Sequence, residues 1–495
     1  MSSKRHASAE GAPGAPGAKR TKGATAATEA TPGDPPQRAE QERRRRRAIL
    51  AQLTRRQRRA VRAFERGKCV VIAGGAGTGK SFVIHRIVEL LGPENVVVTA
   101  TTGAAASLLQ GTTIHAHTGL GWIDSPVAAA KKQRKKKEAE EIPAFLVIDE
   151  ASMLSAWALT WLDKYYRHLL GNMLVPFGGI CVALVGDLFQ LPPVAKNDVC
   201  QEKRAFFYHA PVFLSAFVEG PQAGGVHVLR TNHRQATDAN FAALLNRIAR
   251  GVPTRADLSL LKAKAKQSRQ ATAPRPEAQK ALRLFATCSQ VSAHNEGRLR
   301  MLEMAGVAKH TFRRTFVFSK GVPGNMRKTL EKRVLAGVAS RTEALVTLYE
   351  TMRVMMIANI DVKRRLVNGR RGTVTHVAKT HVAVVFDGDD APTDVYPHAF
   401  TYVSPLNKAY VVTALQVPLV AAYAVTIHKS QGLTGSVNVE LDWWRPHLQP
   451  GMAYVALSRA PVIGDVHISR FNPACIVPHA DAIAFYEKYD TDAPD

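Results

Sequence analysis

Cys69-Val70-Val71-Ile72-Ala73-Gly74-Gly75-Ala76-Gly77-Thr78-Gly79-Lys80-Ser81 decides the fold. Cys69–Ala73 is a short apolar run that reads as a buried strand, and the residues after it match G-x-x-x-x-G-K-[ST] before a helical stretch. That flanking context raises the match above a chance occurrence. Glycines let backbone N–H groups wrap a chain of phosphates. Lys80 would supply charge to the β- and γ-phosphates, and Ser81 a hydroxyl to Mg²⁺. Gly74 through Ser81 are therefore read as the ATP-binding loop.

Downstream, the apolar run Phe145–Ile148 ends in Asp149-Glu150. A buried strand that delivers paired carboxylates beyond a phosphate loop suits metal-assisted hydrolysis. Asp149 would hold Mg²⁺, directly or through water, and Glu150 would orient and deprotonate the attacking water. A lone Asp-Glu pair is usually a solvated turn; the strand before it is what changes the reading. These elements alone fit a kinase, a transporter ATPase or a clamp loader equally well. Gln190, in Gly186-Asp187-Leu188-Phe189-Gln190-Leu191-Pro192-Pro193-Val194, follows another apolar run and would sense a γ-phosphate. Arg234 in Leu229–Gln235 and Arg459 in Tyr454–Ala460 would be arginine fingers if a second lobe brings them across a cleft.

The fold class expected is α/β: two RecA-like P-loop NTPase lobes, a small β-barrel inserted in the second lobe, and a disordered basic N-terminal tail. Runs Cys69–Ala73, Val96–Ala100, Phe145–Ile148 and Ile180–Val185 alternate with helical stretches, as in a doubly wound parallel sheet. The tail spans 1–47 and the first lobe 48–215, with a small wedge-like insertion near 105–140. The second lobe takes 216–302 and 406–495, with runs Leu282–Ala286, Leu419–Thr426 and Val437–Leu441. Residues 303–405 form an insertion. Its β-rich part starts near 354 and includes Gly372–Val377 and His381–Phe386, while 303–350 fit no pattern.

The 495 residues carry a formal charge of +27, which favours a polyanionic partner. Arg43–Arg47 and Arg55–Lys68 concentrate part of it. No run approaches the ~20 apolar residues of a spanning helix, and no secretory signal is visible, so the chain reads as intracellular with no membrane role. The five cysteines are scattered without a C-x-x-C pair, arguing against disulfides and zinc or iron–sulfur sites. Lys4-Arg5 and Lys19-Arg20-Thr21-Lys22 are spaced like a bipartite nuclear import signal. A basic arm touching phosphates, or a mitochondrial destination, is the alternative to the nucleus.

Taken together, the strings resemble superfamily-one, branch B helicases of the Pif type (the petite integration frequency family). Leu53-Thr54 with Gln57 resembles the family's adenine-reading element. Thr101–Ala106, Gly111–His115, Asp149–Met153 and Pro176–Gly179 resemble successive motifs, as do Leu366–Gly369, Tyr423–Thr434 and Tyr454–Ala460. They run in family order from about 53 to 460. The resemblance implies an ATP-dependent 5′→3′ DNA helicase that translocates on single-stranded DNA and opens forked or tailed duplex. It would serve replication, recombination, repair or telomere maintenance. ATP and Mg²⁺ are implied, with Gln57 and Gly432 added to the nucleotide site, and His115, Asn368, His428 and Lys429 as DNA contacts. Protein partners are not specified. Leu154–Gly171 matches only loosely, and Lys131–Lys137 sits at the wedge with a sequence of its own. Trp122 and Phe189 would stack on bases or pack in the core, core packing being favoured for Phe189.

A motor subunit of a helicase–primase or RecD-like assembly is the alternative. A DNA-binding scaffold with a dead ATPase is disfavoured, because Lys80, Ser81, Asp149, Glu150, Gln190, Arg234 and Arg459 are all present.

Overall fold

The computed structural model describes residues 35–490 except 110, 121–124, 135–143, 194–200, 271–280, 339–343, 359, 362–363, 365, 404–409 and 444–447. The chain divides into two compact units, residues 1–48 and 49–495. Residues 1–34, with both basic clusters, lie outside the described residues. A helix spans Pro35–Ala51, where the sequence pattern suggested the end of a disordered tail. Its Ala, Gln, Glu and Arg are strong helix formers, proline suits a first turn, and Arg44 pairs with Glu40 one turn away at 3.1 Å. Absent apolar periodicity hid a helix that propensity favours.

The second unit contains a six-stranded sheet, entered from the helix Arg55–Glu65. Its strands are β1 (Cys69–Gly74), β2 (Val96–Ala100), β3 (Thr112–Thr113), β4 (Phe145–Asp149), β5 (Cys181–Gly186) and β6 (Ala223–Leu229). Their order is β3-β2-β4-β5-β1-β6, and every pairing is parallel. Cys69, Val71 and Ala73 enter one apolar cluster, and Val70 and Ile72 the other. Both faces are covered, which is why these strands are apolar throughout instead of alternating. β6, which the sequence pattern placed in the second lobe, is the edge strand beside β1, with Gly74 opposite Leu229. The helix Ala156–Leu170 is capped by Ser155 and stopped by left-handed Gly171.

The chain then forms β7 (Leu282–Phe285) and leaves its sheet. The excursion contains β8 (Lys309–Arg313), β9 (Thr315–Phe318), β10 (Leu345–Tyr349), β11 (Arg353–Met356), β12 (Arg371–Val377), β13 (Val382–Phe386), β14 (Thr393–Val395), β15 (His398–Val403), β16 (Val411–Gln416) and β17 (Leu419–Ala421). It returns through β18 (Ala424–Thr426), β19 (Val437–Leu441) and β20 (Val466–Phe471) to a parallel sheet of order β18-β7-β19-β20. The apolar run Leu419–Thr426 therefore serves two sheets, β17 pairing antiparallel with β11 and β18 parallel with β7.

The small β-unit is the antiparallel sheet β14-β13-β12-β11-β17 around Val354, Val374, Val384 and Phe386. The segment that fits no sequence pattern supplies β8, β9, β10 and the helix Gly324–Val338. β9 pairs with β16, Phe318 opposite Val412, and that helix covers the sheet through Leu330 and Val334 against Val412 and Ala414. The terminal helix Ala480–Tyr489 packs Phe485 and Tyr489 against Phe213, and Phe485 against Tyr208, beside the first sheet. Chain order alone groups it with the second lobe.

One ion pair lends itself to a stability test. Asp257 accepts two 2.7 Å bonds from the Arg247 guanidinium and one of 2.8 Å from the Thr254 N–H. The Arg247 bonds hold its carboxyl well below the usual range. A depressed native pKa gives stability that is present above the unfolded value of about 3.9 and lost as pH falls below it. Asp257→Asn is expected to lower Tm by roughly 2–4 °C at neutral pH. The difference from wild type should shrink in thermal melts run towards pH 3.

Candidate nucleotide-binding and catalytic site

The phosphate loop leaves β1 and enters the helix Lys80–Leu91. Gly77 and Gly79 both have φ of +81°, a left-handed conformation that favours glycine. At Gly77 a Cβ would also lie 2.6 Å from the Arg234 Cβ, so the loop and the Asn232–Gln235 segment pack too closely for a side chain. The Asn232 amide donates to the Ala76 carbonyl at 3.1 Å, and the His233 N–H to the Gly77 carbonyl at 2.8 Å. Lys80 Nζ donates to the carbonyls of Gly74 and Gly75, each at 2.8 Å. Burial lowers the Lys80 pKa, and the carboxylates of Asp187, Glu150 and Asp149 oppose that.

β4 delivers Asp149 and Glu150. Burial, and then the neighbouring Glu150, push Asp149 up to about 7. Burial also raises Glu150, while Lys80 and Arg459 act in the opposite direction. Glu150 sits at φ 52°, a left-handed conformation sparse for non-glycine residues. Its buried Oε2 has no hydrogen-bond partner among the described residues. An acceptor held in strain without a donor suits a ligand-facing role. Ser81 and Asp149 supply hard oxygens of the kind Mg²⁺ prefers alongside phosphate and water.

Lys80, Ser81, Asp149, Glu150, Gln190, Arg234, Gly432 and Arg459 line one cavity of about 340 Å³, with Ala76 to Gly79 as its wall. It lies between the two parallel sheets: β1, β4 and β5 lead into the first group, and the helix Met452–Leu457 leads into Arg459. Arg459 is buried and donates to the Val455 carbonyl at 2.9 Å and the Ser458 hydroxyl at 2.9 Å. Arg234 Nη1 donates to the Ser458 carbonyl at 3.4 Å.

Other residues singled out by sequence stand elsewhere. Gln57 does not line the cavity. Its Oε1 accepts from the Thr54 N–H at 3.1 Å as a helix capping box, and its Nε2 donates to the Thr78 carbonyl at 3.2 Å. It braces the phosphate loop from below. His115 is exposed on the helix Ile114–Thr118, Asn368 is half-buried in the turn before β12, and His428 and Lys429 sit on the turn after β18. None of these four lines the cavity. Phe189 stacks on Tyr486 at 4.6 Å and is core. Trp122 and Lys135–Lys137 lie outside the described residues; Lys131 is exposed at the end of the helix Pro126–Arg134.

Sequence reasoning missed Phe82 and His233, which line the same cavity. Phe82 is 39% exposed, a large apolar ring in solvent next to Ser81, and that position alone was the available signal. Asp187 and Tyr454 lie inside motif strings that carry no separate signal for the bond between them.

A phosphate loop, paired carboxylates and facing arginines on two parallel α/β sheets define a P-loop NTPase of the RecA-like, two-lobed kind. The PIF1-like helicase family matches residues 52–252. The ATP-dependent DNA helicase PIF7 of Trypanosoma brucei brucei is 30% identical over 85% of this chain and 46% of its own length. The ATP-dependent DNA helicase Pif1 of Bdellovibrio bacteriovorus is 29% identical over 87% of this chain and 91% of its own. The crystal structure of Pif1 helicase from Candida albicans superposes with a TM-score of 0.72 at 25% identity, covering 88% of this chain and 99% of that one. Residues 52–252 are thus a PIF1-like helicase domain by family model, in a chain similar to PIF1 helicases over most of its length. The chain spans about half the length of the trypanosome relatives it matches.

Proposed function

We propose that this chain is an ATP-dependent 5′→3′ DNA helicase that translocates on single-stranded DNA and unwinds forked or tailed duplex. The observation that carries it is the shared cavity, in which Lys80 and Glu150 of one lobe face Arg459 of the other, with Arg234 on the segment that follows β6. A motor needs hydrolysis to depend on how two lobes meet, and this site is complete only when they do. Lys80 and the loop amides would hold the phosphates, Glu150 would take the proton of the attacking water, and the arginines would stabilise the charge that develops. Ser81 and Asp149 would hold Mg²⁺, which would neutralise phosphate charge. The base would lie towards Phe82 and His233, with Gln57 bracing the loop or turning to the base on binding.

DNA as the polymer rests on the names of the relatives, and the 5′→3′ direction on the motif resemblance alone. The charge of +27 supports a phosphate-gripping, sequence-tolerant contact. His115, Asn368, His428 and Lys429 are proposed for it. No described helix is long and apolar enough to cross a membrane. Replication, recombination, repair or telomere maintenance in the nucleus is the setting proposed.

Two partial duplexes, one with a 5′ single-stranded tail and one with a 3′ tail, test the proposal. ATP-dependent unwinding from the 5′ tail alone is expected, falling to background in Lys80→Ala. Unwinding from the 3′ tail alone would overturn the direction. DNA-stimulated hydrolysis without unwinding would point to a motor subunit of a larger assembly.

A further inference from the structure

We propose that Tyr454 and Asp187 form a positioning pair that locks Arg459 of the second lobe over the phosphate loop through a hydroxyl standing outside the nucleotide cavity. The inference rests on the ATPase reading of the site. Tyr454 lies on the helix Met452–Leu457. Its hydroxyl accepts from the Ala76 N–H at 2.8 Å and donates to Asp187 Oδ2 at 2.7 Å. One side-chain oxygen thus joins the second lobe to two separate first-lobe elements, the phosphate loop and the turn after β5.

Asp187 is fully buried. A buried carboxylate is costly unless its lone pairs are filled. Its other described donors, the Phe189 N–H at 3.1 Å and Gln190 Nε2 at 3.2 Å, come from its own turn. The short bond from Tyr454 is the described donor that crosses the cleft. A second crossing follows from it, since Gln431 Nε2 donates to Gln190 Oε1 at 3.3 Å. Asp187 therefore fixes the amide of Gln190, a cavity residue, with the same oxygen that receives Tyr454.

Arg459 depends on this helix, and Arg234 touches its end. Arg459 is tied to Val455 and Ser458, and Arg234 reaches the Ser458 carbonyl. Gln235 Nε2 donates to the Ala460 carbonyl at 3.0 Å, which binds the Arg234 segment to the same turn. If the Tyr454 hydroxyl loses its hold on Asp187, the turn that carries the Arg459 guanidinium is released from the phosphate loop, whereas Arg234 stays tied to that loop through Asn232 and His233. Burial and the adjacent Asp187 charge keep the phenol protonated, so it remains a donor at any working pH.

Tyr454→Phe in the full chain removes the hydroxyl and keeps the ring against Phe189. DNA-stimulated ATPase, affinity for a fluorescent ADP analogue and Tm are measured for this variant, for Arg459→Ala and for the double variant. The expected result is a kcat about tenfold to a hundredfold lower, with KM for ATP and ADP affinity within about twofold. In the Arg459→Ala background the further loss is expected to vanish, because the hydroxyl acts through that arginine. Asp187→Asn, which keeps an acceptor for the phenol, is expected to lose less than Asp187→Ala. If wild type hydrolyses ATP and Tyr454→Phe matches it, the pair is overturned and the ATPase reading stands. A loss that multiplies with that of Arg459→Ala, or one that follows Tm and KM, also overturns it. A wild-type chain without hydrolysis overturns both.

Discussion

Glu150→Gln is expected to lower ATP turnover by about 10²–10⁴-fold while nucleotide still binds. The substitution keeps shape and removes the charge that would accept a proton. Glu150 is held in a left-handed conformation with its buried Oε2 short of a partner and facing the cavity. Burial raises its pKa, which makes the carboxylate a stronger base than a free glutamate. Lys80, Arg459 and Arg234 favour its ionised form. The acid limb of the wild-type kcat profile should therefore fall above the ordinary glutamate value of about 4.3, and the glutamine variant should lack that limb. Because its raised pKa means that folding already disfavours the charged form, neutralising it should not lower stability, and Tm is expected to hold. Single-turnover hydrolysis with bound nucleotide is the direct measurement. A variant that turns over within tenfold of wild type would exclude Glu150 as the base.

Arg459→Ala is expected to cost about 10³-fold or more in kcat, the scale of an arginine finger. Burial brings its pKa down to about 10, so it is charged throughout the neutral range. It lines the cavity opposite Lys80 and Glu150 although the chain separates it from both by several hundred residues. Its bonds to the Val455 carbonyl and the Ser458 hydroxyl aim the guanidinium without help from a ligand. Such preorganisation is what makes a fixed cation effective against developing charge. Arg459→Lys keeps a charge but loses the planar fork, and is expected to recover little of the loss. Steady-state ATPase of both variants at saturating DNA, with circular-dichroism melts to confirm folding, decides the matter. A folded alanine variant losing less than tenfold would remove Arg459 from the site.

The elements that sequence announced are those whose causes are local. β1, the phosphate loop and the helix after it lie next to one another in the chain. Strand apolarity, glycine freedom and helix entry are all set within a few residues there. The same holds for β4 with Asp149-Glu150 and for β5 with Gly186-Asp187. The misplacements share a cause too. Chain order puts β6 at the start of the second lobe, but it says nothing about which sheet edge a strand will take. β9 could not be recognised because its partner, β16, lies far downstream. The motif around Gln57 points to the base, yet its side chain satisfies a helix cap and a loop carbonyl.

By itself, then, the sequence determined that this protein carries a phosphate loop, paired carboxylates and two motif-embedded arginines on parallel α/β lobes, because each of those rests on short-range pattern and composition. Only the tertiary structure decided which of these groups meet. Tyr454 and Asp187 are separated by 267 residues, and the bond between them exists because two sheets present their loops to a common cleft. No local propensity encodes such a contact; it follows from burying apolar faces on both sides of each sheet, which brings the loops between them into register.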